Sequence, residues 1–123
     1  MSAEAPILIV TKPLTASELA ELLGAPFPDM VKFVVDVDRR VVAVGGHLHA
    51  DGEALLIDQG SRQAALWGGN YYPGLEETAC IEYESLINIR PGKNPGTKVE
   101  DEALRARIRD VVFTLIGTGR LRP

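Results

Sequence analysis

Between Met30 and Asp38 apolar side chains fall on alternate positions, and this period of two constrains the fold more than any other feature of the chain. Val31, Phe33, Val35 and Val37 alternate with Lys32, Asp36 and Asp38, which is the pattern of a strand with one face in a core. Only Val34 breaks it. A reversal at Asp38-Arg39 puts Val35 opposite Val42 and Phe33 opposite Val44, so two adjacent antiparallel strands share one apolar face.

The flanking segments extend this pair. Ile7 to Val10 is a short β-rich run closed by Lys12-Pro13. Thr15 to Glu18 has the spacing of a capping box, and Leu19, Leu22 and Leu23 supply the apolar face of a helix of about two turns. Gly24, Pro26 and Pro28 stop it. Asp51-Gly52 suits the positive φ angles of a tight type I′ hairpin, a second reversal that sets Leu48 opposite Leu55 and puts Ile57 on the buried face. Leu66 to Tyr72 reads as extended, though weakened by Gly68 and Gly69. Cys80 to Arg90 is the longest strand candidate, with Ile81, Tyr83, Ile87 and Ile89 on one side and Glu82, Glu84, Asn88 and Arg90 on the other. Leu104, Ile108, Val111, Val112 and Leu115 then recur at helical spacing after the acidic start Glu100-Asp101-Glu102.

Short connections in the middle exclude parallel crossovers. The expected architecture is α+β: one domain over residues 1–123, an antiparallel β meander of about five to six strands, and a short N-terminal and a long C-terminal helix packed on one face. The arginine-rich tail, residues 117–123, is expected to be flexible. Val34, Val41, Ala43 and Leu56 would then lie on the open side of the sheet.

Chemistry-bearing residues concentrate in Val41 to Gly60, which holds both histidines. The spacing His47-x-His49-x3-Glu53-x6-Gly60 resembles the first half of a cupin metal motif, although Val41 stands where that motif has glycine and no third histidine follows. A divalent transition metal held by His47, His49 and Glu53 is therefore the alternative reading, with a metal-dependent enzyme as its consequence. Parity argues for no cofactor, because a tight hairpin at residues 51 and 52 sends the imidazoles to one side and Glu53 to the other. The candidate ligand-binding residues are His47, His49, Trp67, Asn70, Asn88 and Arg90. Trp67 beside two glycines offers a stacking surface, and Arg90, Lys93 and Lys98 precede a helix start where an anion can be attracted.

Composition narrows the partners. With 13 basic against 17 acidic residues the net charge is −4, so no broad basic footprint for nucleic acid is expected. No apolar run approaches the roughly 18 residues of a membrane span, and the N-terminus lacks a basic leader segment, so a cytoplasmic protein is expected. Cys80 is the single cysteine, which rules out an intrachain disulfide and favours a small buried hydrophobe. These features favour a non-catalytic binding domain that self-associates, as a homodimer, and takes a small ligand or a protein partner through the open sheet face, with catalysis left open.

As a set, VVDVDRRVVAVGGHLHADGEALL, GSRQAALWGGNYYP, IEYESLINIRPGKN and VEDEALRARI resemble a family of small uncharacterised bacterial proteins, a domain of unknown function. The resemblance spans about Met30 to Val112. It rests most on the GGxLHAD, LWGxN and INIRP segments, and it implies a bacterial source and a common fold while carrying no chemistry over.

Overall fold

The expected hairpin register is present: Phe33 pairs with Val44, Val35 with Val42 and Asp36 with Val41. A buried carboxylate shapes the connection. Asp36 Oδ1 accepts from the amides of Asp38 and Arg39, each at 2.9 Å, and Oδ2 accepts from the Ser61 hydroxyl at 2.6 Å. The computed structural model describes residues 6–24 and 27–120. Pro26, read above as a helix stop, and residues 121–123 of the tail lie outside them.

The elements run β1 (Ile7–Val10), α1 (Ala16–Leu22), β2 (Val31–Asp36), β3 (Val41–Gly45), α2 (His49–Asp58), β4 (Leu66–Tyr71), β5 (Ile81–Glu82) and α3 (Glu102–Leu115), with 3-10 turns at Gln63–Ala65 and Leu86–Asn88. Among the described residues the strands form one antiparallel sheet in the order β1-β3-β2-β4-β5. The α+β architecture with an antiparallel sheet is thus as expected. Local signals explain both flanking helices. Thr15 and Glu18 close the capping box at 2.9 and 3.0 Å, and Asp101 caps α3 through the Ala103 amide.

Strand parity distributes the core. Val31, Phe33, Val35, Val42 and Val44 face one layer with Trp67, Tyr71 and the α3 residues Ile108, Val111, Val112 and Leu115, and Leu19 and Leu22 of α1 pack against it. Val34 and Ala43 face the other side, where Leu56 and Leu66 complete a smaller core. That second face is not open, because α2 lies across it.

The hairpin expected at Asp51-Gly52 is therefore replaced by a helical turn. Gly52 serves close approach instead of a reversal: a Cβ there would sit 3.1 Å from Val34 Cγ2 and 3.3 Å from the Ala43 Cβ. Leu48 and Leu55 do not face each other across strands, and Ile57 is 45% exposed. The reversal happens earlier, at Gly45 and Gly46, whose φ angles of 108° and 86° are ones that glycine adopts without strain.

The long strand expected from Cys80 to Arg90 is also corrected, to the two residues of β5 followed by an irregular edge. Ser85 ends it by accepting the Ile87 amide on its hydroxyl at 3.2 Å, which draws the chain into a 3-10 turn. Ladder bonding then passes to a side chain. Asn88 Oδ1 accepts from the Gly68 amide at 2.8 Å and Nδ2 donates to the Gly68 carbonyl at 2.9 Å, so one carboxamide pairs with β4 as a neighbouring peptide would. Asn94 holds the following loop, its Nδ2 donating to the carbonyls of Asn88, Gly96 and Lys98. At the chain's other end residues 117–120 are tied back: the Gly119 amide donates to the Tyr71 hydroxyl at 2.8 Å and the Arg120 amide to the Leu75 carbonyl at 2.7 Å.

Candidate functional site

The register of the sheet lines up three polar residues. Lys32 on β2 pairs with Asn70 on β4, and Asn70 pairs with Glu82 on β5, so their side chains form a row across three strands on the α2 face. The helix stops short of this row. Its first residues, Leu48 to Ala50, overhang it from one side, and Ser85, Leu86, Ile87 and Thr97 flank it from the other, enclosing a cavity of about 580 Å³. That volume lies within the roughly 300–1,000 Å³ of small-molecule sites.

Hydrogen bonding fixes the orientation of Asn70. Its Nδ2 donates to Glu82 Oε1 at 2.8 Å, and a carboxylate only accepts, so Oδ1 is the other end of the amide. Asn70 is 8% exposed, and among the described residues this Oδ1 is buried without a hydrogen-bond partner. Native interiors leave few such atoms. Glu82 Oε1 also accepts from the Tyr72 hydroxyl at 3.1 Å, and burial, then Glu82, pushes the Tyr72 phenol up, which keeps it a donor.

His49 enters the cavity from the α2 N-terminus. Its Nε2 lies 2.7 Å from the Gly69 carbonyl oxygen, which only accepts, so the proton sits on Nε2. Burial lowers the imidazole pKa and the positive charge of Lys32 adds to the shift, against the opposing effects of the Gly69 carbonyl, the Asn70 side chain and the Glu82 charge. At neutral pH the ring is thus uncharged, with the Nδ1 lone pair free of a proton. Burial lowers Lys32 as well, offset in part by Glu82, and its ammonium lies 5.0 Å over the Phe27 ring. The hydroxyls of the wall are engaged elsewhere: Ser85 accepts from Ile87, and Thr97 donates to Glu84 Oε2 at 3.3 Å.

Of the six residues singled out in the sequence, the structure brings His49 and Asn70 together. His47 is exposed in the turn before α2. Trp67 lies in the core of the opposite face, beside a second cavity of about 330 Å³ that also touches Arg62, Lys93 and Arg107. Asn88 is spent on Gly68 and Thr97. Arg90 stacks on Trp67 with its guanidinium 4.1 Å from the ring centre and donates to the Leu66 and Ala64 carbonyls, so it finishes the sheet edge where an anion was expected. Burial lowers its pKa against the attraction of Glu53.

Glu53, the carboxylate of the metal alternative, stands one turn beyond His49 on α2 and acts on Arg90, and among the described residues no three histidine, cysteine or carboxylate side chains gather to hold an ion. Lys32 and Glu82 are the site residues that sequence reasoning missed. Both read as the polar side of alternating strands, and their signal was positional: a lysine two residues before the off-pattern Val34 shares the face that Val34 buries.

Among the described residues no helix is long and apolar enough to cross a membrane. A family model described as a protein of unknown function (DUF5674) matches residues 8–115. No curated protein and no solved structure matches the chain.

Proposed function

The chain belongs to the DUF5674 family of proteins of unknown function, a membership that brings no chemistry with it, and from the geometry of the cavity we propose that it is a non-catalytic ligand-binding domain. Its ligand is a small molecule that donates hydrogen bonds to Asn70 and Glu82, beside the Lys32 ammonium, in the corner between α2, β4 and β5. The observation that carries this reading is the Asn70 Oδ1 acceptor, buried in the cavity wall next to His49 and making no hydrogen bond of ordinary geometry with any described residue. Leaving such an atom unpaired costs about 1–3 kcal/mol, a cost that a bound donor removes. Binding fits the remaining groups, since the His49 Nε2–H is held by a backbone carbonyl and the Thr97 hydroxyl by Glu84.

The test is backbone amide NMR with millimolar benzamide, benzylamine and benzoate, on the native protein and on Asn70→Leu. Shifts confined to His49, Asn70, Glu82 and Ser85 for a donor-bearing probe, lost in Asn70→Leu, support the reading. Loss of one hydrogen bond to Glu82 and removal of the unpaired acceptor offset each other, so the melting temperature of Asn70→Leu is expected to stay within a few degrees of the parent. Probes that leave these amides unmoved, or a variant that no longer folds, would overturn it.

A further inference from the structure

Resting on the reading of this cavity as a ligand site, we infer that the ligand is a free aliphatic α-amino acid. The floor presents opposite charges at its two ends. Lys32 and Glu82 flank Asn70 on adjacent strands, which separates their backbones by roughly 10 Å, two strand spacings. They sense each other's charge but, both being described residues, form no ion pair with each other. Each therefore has capacity for a ligand group of opposite sign, and a zwitterion lying along the row satisfies both.

The two ends differ in a way that fixes the ligand's direction. At the Glu82 end, Asn70 Nδ2 and the Tyr72 hydroxyl already occupy Oε1, which leaves Oε2 as the acceptor for a ligand group. An ammonium supplies the donors that such a carboxylate oxygen takes up. At the other end, the Lys32 ammonium is joined by the start of α2, whose N-cap residue Leu48 makes no side-chain cap bond. The first helical residues, His49 and Ala50, line the cavity, and the amides of a helix start attract a carboxylate. Glu84, the other charge in the wall, takes up the Thr97 hydroxyl.

The mouth selects the side chain. Leu48 is 60% and Leu86 78% exposed on opposite lips of the cavity, with Ile87 between them and the floor. An aliphatic group leaving the row passes between these residues, and covering them removes apolar surface from water.

Titration calorimetry and amide NMR with L-leucine, 3-methylbutylamine, 4-methylpentanoate and glycine test this assignment. Leucine is expected to bind roughly tenfold or more tightly than each of the others, which lack its carboxylate, its ammonium or its side chain. Lys32→Met should abolish the preference for leucine over the amine, and Glu82→Gln the preference for leucine over the acid. Binding of the amine or the acid as tight as that of leucine overturns the amino-acid assignment. If benzamide or benzylamine shifts the cavity amides and leucine does not, the ligand site stands and this class falls. If no probe shifts them, both fall.

Discussion

His49 couples the site to pH, and the sign follows from its surroundings. Burial places the folded-state pKa below the ordinary 6.5, so the unfolded chain takes up the proton first. The stability that neutral His49 contributes is complete above pH 6.5 and is lost as the pH falls below that value toward the lowered folded-state pKa. The slope from one such group is at most about 1.4 kcal/mol per pH unit. Denaturant titrations at about pH 7.5 and about pH 5.5 should show this loss in the native protein and little of it in His49→Gln, whose amide still donates to Gly69 but does not titrate there. Equal loss in both proteins would remove His49 as its source. Asn88 shows why single residues at the site were hard to rank from sequence. An asparagine in a strand pattern carries the same signal whether it meets a ligand or, as Asn88 does, replaces a missing stretch of backbone with its own amide. Asn70 and Asn88 both look polar and half-turned to solvent, and only the unpaired oxygen separates them.

Helix α2 is where sequence and structure part. The register of β2 and β3, the capped start of α1 and the amphipathic α3 were legible because each carries a strong periodic or capping signal. The first turn of α2 carries neither. Its N-cap is a leucine without a side-chain bond, its outward face includes Leu55 and Ile57, and Asp51-Gly52 is as good a turn dipeptide as the language of hairpins has. Packing overrides that preference, because a glycine at residue 52 lets the helix settle onto Val34 and Ala43. The two roles of Gly52 predict different mutants. In a type I′ turn any side chain is strained, whereas in α2 the methyl of Gly52→Ala meets contacts of 3.1 and 3.3 Å that offset a gain in helix propensity of about 1 kcal/mol. Gly52→Ala should thus stay within about 1 kcal/mol of the parent, while Gly52→Val, which must lift α2 from the sheet, should lose roughly 2–4 kcal/mol. Chemical denaturation of the pair checks it, and a large loss already at alanine would return residue 52 to a turn.

At the scale of the whole molecule the sheet is a shared wall between two unequal cores. Val34, Val41 and Ala43, read from sequence as a mixed open surface, are the trace of the second core, and the reason they misled is that a half-exposed face and a thinly covered one have nearly the same composition. Thin coverage also places the site: α2 shields Val34 and Ala43 but not the Lys32–Asn70–Glu82 row, so the cavity opens where the second layer ends. If the layers are coupled through strands common to both, neither core can melt alone. Leu56→Ala in the small core and Ile108→Ala in the large one each empty a fully buried position, at a cost of roughly 2–5 kcal/mol. Trp67 reports on the large core by fluorescence, and far-UV circular dichroism reports on helices α1, α2 and α3. The two signals should remain coincident in both variants, each displaced to lower denaturant as one transition. A dichroism change that precedes the Trp67 transition in Leu56→Ala would show α2 leaving the sheet first, and the cavity that depends on its N-terminus would then be lost before the fold is.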